Sequence, residues 1–215
     1  AGSSSPEIIF AYVNNSRASS PLNFTLYVND TDGSWNYAPS DWCYNSLFAD
    51  DNTLSRKGDV RLKATFTSQD ANRVIKYPNG TYQLGETSDY TGTPEVISRI
   101  SEMYLIKAEA LGKTNGAAAL VEYMKKRYTT APSEAAIKAL SDKEYQTLIL
   151  DERRREFYAE GMRWQDIKRT NRLELLETLD GRTYLMYYPI PQDEIDMAGT
   201  VAYPQNPGYA GYTGN

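Results

Sequence analysis

The sequence predicts a mainly α-helical fold with long irregular loops and a few short strands. Apolar residues recur between residues 96 and 176 at the three- and four-residue spacing of amphipathic helices. Residues 1–95 are rich in Ser, Asn, Asp, Gly and aromatic residues, with short alternating runs such as PEIIFAYV and RVIKY. Residues 177–215 are rich in Tyr and Pro, which favours extended chain packed on helices. We therefore expect three segments, 1–95, 96–176 and 177–215, within one structural domain.

The first two helices are predicted as a hairpin. The three- and four-residue spacing is carried first by Ile100, Met103, Tyr104, Ala108 and Leu111. Gly112 ends this helix, because glycine terminates helices. A second helix is expected over residues 117–128, after the tight turn GKTNG.

Three further helical elements are expected after the breaker Pro132. A short helix covers residues 133–140, and the sequence SDKE (residues 141–144) fits a capping box that opens a helix through Ala159. Gly161 breaks that helix, and a last one covers residues 163–176. The predicted helices resemble a pair of tetratricopeptide-like helical hairpins. A stack of such hairpins usually needs more than two units to close a core. The flanking irregular segments are therefore expected to cover the helices.

Composition excludes several classes of function. The 215 residues are 40% hydrophobic and 24% charged, enough for a real core. A net charge of −5 argues against a protein that binds nucleic acid. No apolar stretch reaches the roughly 18 residues of a membrane span, and the first ten residues lack the pattern of a signal peptide. Cys43 is the single cysteine, for which we expect a buried thiol.

The chain contains no histidine, which removes Ser-His and Cys-His triads and the HExxH zinc helix. Neither a GxGxxG fingerprint nor a GxxxxGK[ST] loop occurs, so nucleotide binding has no support. We predict no metal and no cofactor. Carboxylate, lysine and tyrosine chemistry remains.

The most specific stretch is LDERRREFYAEGMRWQDIKRTNR, residues 150–172. With a helical repeat, Glu152 and Glu156 continue a stripe that begins with the core-type residues Tyr145 and Ile149, so both carboxylates are expected to be at least partly buried. Buried charges need partners. Nearby candidates in sequence are Arg153, Arg154, Arg155 and Arg163.

Two interpretations of these acids stay open. One turn of helix separates Glu152 from Glu156 by about 6 Å, as in a pair of glycosidase carboxylates. The adjacent arginines would instead hold both acids ionised and remove the proton donor. Glu102 and Glu109 on the first helix are interpreted in the same way. The predicted structural ion-pair network contains Arg99, Glu102, Glu109, Glu152, Arg153, Glu156 and Arg163.

A loop rich in aromatic residues, NDTDGSWNYAPSDWCYN, is the candidate binding surface within residues 1–95. Flat rings pack against the C–H faces of sugars, and neighbouring amides and carboxylates bind hydroxyls. The candidate glycan-binding residues are Trp35, Asn36, Tyr37, Asp41, Trp42 and Tyr44. The alternative is that these rings cover a core. No fixed motif selects among them.

Three motifs carry a resemblance to a known family. The run ERRREFYAEGMRWQDIKR resembles the ER-R-E, E-G-x-R-W and D-x-K-R signature of the SusD/RagB family, glycan-binding surface lipoproteins of nutrient-uptake systems. RISEMYLIKAEAL resembles that family's R-x-x-E-x-Y-L-I-x-A-E-A helix, and PIPQDEI followed by YPQNPGY resembles its closing elements. The resemblance covers residues 99–209 well, with weaker fragments at residues 7–10 and 59–61.

The resemblance implies a SusD-like, C-terminal portion of a longer protein, because family members are roughly twice this length. It implies a non-enzymatic protein that captures oligosaccharide and hands it to a SusC-like TonB-dependent transporter. Its location would be the cell-surface-exposed outer membrane, with membrane contact through an N-terminal lipidated cysteine outside this sequence. It also implies that Trp164, within the motif GMRWQDIKR, belongs to the core.

Three hypotheses about function follow. The first is glycan capture for import. The second is a tetratricopeptide-like scaffold that binds a protein or peptide through the aromatic loops. The third is a glycoside hydrolase that uses two carboxylates, for which Glu152 and Glu156 are the candidates.

Overall fold

The computed structural model describes residues 5–12, 39–66, 74, 95–176, 181–198 and 204–210. These residues are mainly helical with short strands, as the sequence predicts. In chain order the elements are β1 (Ile8–Tyr12), a π-helical turn (Cys43–Leu47), β2 (Lys57–Asp59), α1 (Arg61–Thr65), β3 (Glu95–Arg99), α2 (Ile100–Met124), β4 (Tyr128–Thr130), α3 (Glu134–Lys138), α4 (Asp142–Glu156), α5 (Met162–Thr170), two 3-10 turns (Leu173–Leu175 and Thr183–Met186) and α6 (Gln192–Met197). Among them, no helix is long and apolar enough to cross a membrane.

The strands form two small antiparallel pairs, β1 with β3 and β2 with β4. Strand β1 confirms the strand expected in PEIIFAYV. The run RVIKY lies mostly outside the described residues, and its Val74 forms an isolated bridge with Phe66. The pairing of β2 with β4 brings the segment before α1 beside the chain that connects α2 to α3.

Helix α2 contains the predicted hairpin, but its turn is tighter than expected. Gly112 has non-helical angles, φ 65° and ψ 175°, and reverses the chain, whereas residues 113–116 are already helical. A Cβ on Gly116 would lie 2.3 Å from the carbonyl oxygen of Ala108, so glycine permits the close packing of the two halves. The second half ends at Met124, and Tyr128, expected on the helix, lies in β4 instead.

The predicted capping box of helix α4 is confirmed. The Ser141 side chain accepts a hydrogen bond from the backbone N–H of Glu144, and the Glu144 carboxylate accepts one from the backbone N–H of Ser141 at 2.7 Å. The helix ends at Glu156 rather than at Ala159, which adopts a left-handed φ of 64°. The last predicted helix, expected over residues 163–176, is shorter as well, because α5 ends at Thr170, before the left-handed Asn171.

The chain divides into two compact units, residues 1–158 and 159–215. This boundary differs from the sequence-based boundaries at 95 and 176, which stay predictions. The fully buried large apolar residues of the first unit include Leu105, Leu120, Met124, Ile137, Ile149 and Leu150. Ile100, Met103 and Leu111, whose spacing helped to predict the first helix, are exposed.

The second unit has a small core of its own, formed by Ile167 and Met186. Trp164 packs against it, partly buried, as the motif resemblance implied. The C-terminal segment is less extended than expected, because a 3-10 turn and α6 interrupt it. Pro191 precedes α6 with φ −53°, and Asp193 and Glu194 occupy its first turn, which favours a helix start.

Candidate functional site

Helix α4 carries a buried stripe that changes from apolar to acidic along its length. Tyr145 and Ile149 are buried, and the same face continues with Glu152, which is 0% exposed, and Glu156, which is also buried. The burial of this stripe agrees with the helical spacing. Two carboxylates therefore lie inside the first unit and need compensating charge.

Glu152 is surrounded by three guanidinium groups and one phenol. Arg61 Nη2 donates to its Oε2 at 2.9 Å, and Arg155 Nη1 donates to its Oε1 at 2.9 Å. Arg56 Nη1 lies 3.2 Å from Oε1, and the Tyr128 hydroxyl donates to Oε1 at 2.6 Å. Both carboxylate oxygens are thus satisfied without water.

Glu156 has a second set of partners. Arg127 Nε donates to its Oε2 at 2.9 Å, and the Tyr123 hydroxyl donates to the same atom at 2.9 Å. Arg99 Nη2 donates to the Glu156 backbone carbonyl at 2.8 Å, and its Nε lies 3.4 Å from Oε1. Arg61 joins the two sets, because its Nη1 lies 3.6 Å from Glu156 Oε2.

Arg61 itself is held in place by Asp59. Its backbone N–H and Nε donate to Asp59 Oδ1 at 3.0 Å and 2.9 Å, and its Nη2 donates to Asp59 Oδ2 at 2.7 Å. Such a bidentate pair fixes the orientation of the guanidinium plane. The short segment from β2 to α1 therefore places a guanidinium of fixed orientation against helix α4.

The charges around both acids lower their pKa values. Burial alone would raise the pKa of Glu152, but the charges of Arg61 and Arg155 outweigh it, so the pKa lies below its ordinary value. For Glu156 burial is outweighed by Arg127, and the pKa lies well below its ordinary value. Burial raises the pKa of Tyr123 well above the usual range, so it remains a protonated donor. Both carboxylates are therefore ionised at neutral pH.

The predicted network and the observed one overlap in part. Arg99, Glu152 and Glu156 lie in it, and Arg153 Nη2 lies 3.7 Å from Glu102 Oε1. Glu109 and Arg163 are half-buried on α2 and α5, and their predicted pairing stays a prediction.

Arg56, Arg61 and Arg127 were not predicted as partners of the α4 carboxylates. The predicted partners lie close to these acids in sequence, whereas Arg61 and Arg56 are 91 and 96 residues from Glu152. One signal was present in the fragment Asp59–Arg61, because an acid two residues before an arginine is a suitable anchor for its guanidinium.

The aromatic loop is described from residue 39 onward, and Trp35, Asn36 and Tyr37 lie outside the described residues. Trp42 is 50% exposed, and the guanidinium carbon of Arg154 lies 4.6 Å from the centre of its ring. Tyr44 is half-buried and packs edge-on against Phe66, whereas Asp41 is exposed. Trp42 is therefore the described ring of this loop that combines exposure with a fixed orientation.

Cys43 lies between Trp42 and Tyr44 in the sequence, and its side chain points inward. It is buried, as expected, and burial raises the pKa of its thiol. A protonated, buried thiol is a poor nucleophile. Among the described residues, no group of three or more acidic or cysteine side chains is arranged to hold a metal ion.

Comparison with known proteins identifies the family. The model of the SusD family matches residues 48–182, more than half of the chain. SusD-like protein P38 of Formosa agariphila is 30% identical over 142 residues, which are 60% of this chain and 27% of that protein. The chain thus spans about a quarter of that relative's length. No solved structure matches the chain at a significant level.

The chain belongs to the SusD family, as its three motifs predict. Proteins of this family are generally non-catalytic binding proteins associated with the outer membrane. The matched region contains the partners of Glu152 and Glu156 from Arg56 onward, whereas Trp42 lies before it. The ion-pair network around Glu152 and Glu156 therefore lies largely within the region that the family model matches.

Proposed function

We propose that this chain is part of a non-enzymatic SusD-type protein that captures oligosaccharide at the cell-surface-exposed outer membrane and passes it to a SusC-like TonB-dependent transporter. Membership of the SusD family supports the class of the protein. A lipidated cysteine outside this sequence would provide the membrane anchor.

The observation that carries the proposal is the stacking of Arg154 on Trp42. The guanidinium lies 4.6 Å from the ring centre on one side, and half of the side chain remains exposed. A ring held in this way offers its free face without first losing side-chain freedom. Sugar C–H groups pack on such a face, and the exposed carboxylate of Asp41 lies next in sequence for hydroxyl groups. Trp35, Asn36, Tyr37 and Tyr44 remain candidates beside it.

The state of the α4 carboxylates supports a binding protein over a hydrolase. A glycosidase needs one protonated acid, usually with a raised pKa. Glu152 and Glu156 both have lowered pKa values and are enclosed by arginine and tyrosine side chains. We propose that their role is to hold helix α4 against the rest of the first unit.

The test is calorimetric titration of the chain with a panel of oligosaccharides at millimolar concentration, because such sites supply only about 4–6 kcal/mol. Trp42→Ala should remove the saturable binding that the aromatic loop contributes, and Trp42→Phe should retain part of it. Trp35→Ala reports on the other tryptophan of the loop. Tyr44→Phe tests whether the hydroxyl of that candidate contributes, because it preserves the ring that packs on Phe66. Circular dichroism establishes the folding of each variant.

Other outcomes would contradict the loop as the binding site or favour a different function. Binding that is unchanged in amount and affinity by both tryptophan changes would remove the aromatic loop as the site. Saturable binding of peptides without binding of sugars would favour a tetratricopeptide-like scaffold. Release of shortened sugars that stops on Glu152→Gln, in a folded variant, would restore the hydrolase hypothesis.

A further inference from the structure

Side chains of the closing motif QNPGY (residues 205–209) contact the preceding segment YYPIP (residues 187–191). The buried side chain of Gln205 accepts a hydrogen bond from the Ile190 backbone N–H at 2.7 Å and donates to the Ile190 carbonyl at 2.8 Å. Asn206 Nδ2 donates to the Tyr188 carbonyl at 2.8 Å. These contacts replace the backbone pairing that a strand would have.

The same motif also contacts the start of that segment. The Tyr209 hydroxyl donates to the Tyr187 carbonyl at 2.7 Å, and its ring packs edge-on against Tyr184 at 5.1 Å. A Cβ on Gly208, where φ is +90°, would lie 2.3 Å from Tyr184 Cγ. Glycine therefore permits the close approach. The backbone of Tyr187 and Tyr188 is fixed while their rings remain 60% and 79% exposed.

A cavity of about 510 Å³ lies beside this segment, entirely within residues 159–215. Leu173 and Met186 contribute apolar surface to its lining, and Lys168, Asn171, Asn206 and Tyr187 contribute polar groups and a ring. This volume is within the roughly 300–1,000 Å³ that small-molecule sites occupy. Tyr188, the next residue along the chain, is not part of the lining.

The polar groups of this cavity are suited to hydroxyls. Lys168 Nζ lies 5.2 Å from the centre of the Tyr187 ring, so the ammonium group lies close to the ring. Within the described residues, the side chain of Asn171 has no hydrogen-bond partner, and the Asn206 amide nitrogen is engaged while its oxygen can accept. Ammonium and amide donors beside an exposed ring are a common arrangement around a sugar.

We propose that this cavity is a second saccharide-binding site, separate from the Trp42 loop. A pyranose ring packs on the exposed surface of Tyr187, and Lys168 and Asn171 donate hydrogen bonds to its hydroxyls. The inference rests on the proposed function, since it takes the ligand to be a glycan. The pinned backbone of Tyr187 makes the ring a preorganised contact.

Met186 provides a local reporter, because it lines this cavity and is one of five methionines in the chain. With methyl-labelled methionine, saccharides from the same panel should shift the Met186 methyl resonance saturably, while the exposed Met197 stays unchanged. Met186→Leu assigns the signal. Tyr187→Ala should weaken the binding seen at Met186 on the order of tenfold, the factor that corresponds to about 1.4 kcal/mol.

Control variants separate this site from the Trp42 loop and from neighbouring exposed residues. Tyr188→Ala removes the neighbouring, more exposed ring and should leave the Met186 titration unchanged, and so should Trp42→Ala. Lys168→Met, which keeps the aliphatic stem, should weaken binding, whereas Lys143→Met on α4 should not. Calorimetric binding that Trp42→Ala abolishes, without any shift at Met186, would overturn this inference and leave the proposed function intact. Absence of saccharide binding by both methods would overturn both.

Discussion

Arg61 Nη2 lies 2.9 Å from Glu152 Oε2, and both side chains are buried. The contact joins α1 to α4 across 91 residues of sequence. Because Asp59 also accepts hydrogen bonds from Nε and Nη2 of the Arg61 guanidinium, the pair acts as a crosslink between the β2–α1 segment and the helix that carries the family signature. Its value for stability follows from the cost of leaving a buried charge without its partner.

Glu152→Gln should lower the free energy of unfolding by about 3–5 kcal/mol, because three guanidinium groups would lose their anion in a buried site. Urea denaturation followed by circular dichroism measures the change. Glu134→Gln is the matched control, since Glu134 forms an exposed pair with Lys138 at 3.1 Å and should cost at most about 0.5 kcal/mol. Equal losses in the two variants would contradict the role of the buried pair.

The lowered pKa of Glu156 predicts an acid-sensitive stability. Its carboxylate contributes fully above the unfolded pKa of about 4.3, and the contribution is lost as the pH falls toward the lower folded pKa. The free energy of unfolding should therefore decrease below about pH 5, by up to about 1.4 kcal/mol per pH unit for each proton taken up.

The comparison with Glu156→Gln isolates this residue. The variant should be less stable than the original chain at pH 7, and the difference should narrow as the pH decreases, since the variant cannot take up that proton. Denaturant titrations at a series of pH values measure the two curves. A difference that stays constant from pH 7 to pH 3 would show that Glu156 does not titrate with unfolding.

The two glycines of the α2 hairpin should respond to alanine for different reasons. Gly116→Ala places a Cβ 2.3 Å from the Ala108 carbonyl oxygen and 2.8 Å from the Tyr145 hydroxyl, which should cost about 1–3 kcal/mol or more. Gly112→Ala meets no atom within 4 Å but requires φ of 65° with ψ of 175°, a region that essentially only glycine adopts, which should cost about 1–3 kcal/mol.

Tyr145→Phe distinguishes the two mechanisms. Removing the hydroxyl relieves one of the two overlaps, so Gly116→Ala should be less harmful in the Tyr145→Phe background, whereas Gly112→Ala should cost the same in both. A double-mutant cycle in thermal or urea denaturation measures the coupling. Absence of coupling at Gly116 would mean that the hairpin opens to accommodate alanine.

Structural elements that depend on a few neighbouring residues were predictable from the sequence. The capping box needs only Ser141 and Glu144, and the hairpin needs Gly112 at the end of an amphipathic helix. The family was predictable for the same reason, because its motifs are contiguous. The burial of Glu152 and Glu156 was predictable from their helical phase.

The partners of those acids were not predictable, because pairing of β2 with β4 brings Arg61 and Tyr128 to α4 from distant segments. Tyr128 also continues an apparent helical face, which concealed its place in a strand. The Tyr187 cavity was missed for a related reason, since it forms when QNPGY contacts a segment about 15 residues earlier. Neither arrangement leaves a periodic signal in the sequence.

The two hydrogen bonds between Gln205 and Ile190 should stabilise the closing segment. Gln205→Leu keeps the approximate volume of the side chain but removes both hydrogen bonds to Ile190, so we expect a loss of about 1–3 kcal/mol for the backbone groups left unpaired. The Ile190 amide should exchange with solvent deuterium faster by a corresponding factor, read by NMR or mass spectrometry. Gln192→Leu is the control, since exposed Gln192 pairs with Asp196 on the surface of α6. Unchanged exchange at Ile190 would mean that other contacts hold this segment, and Tyr187 would then keep its position without the QNPGY motif.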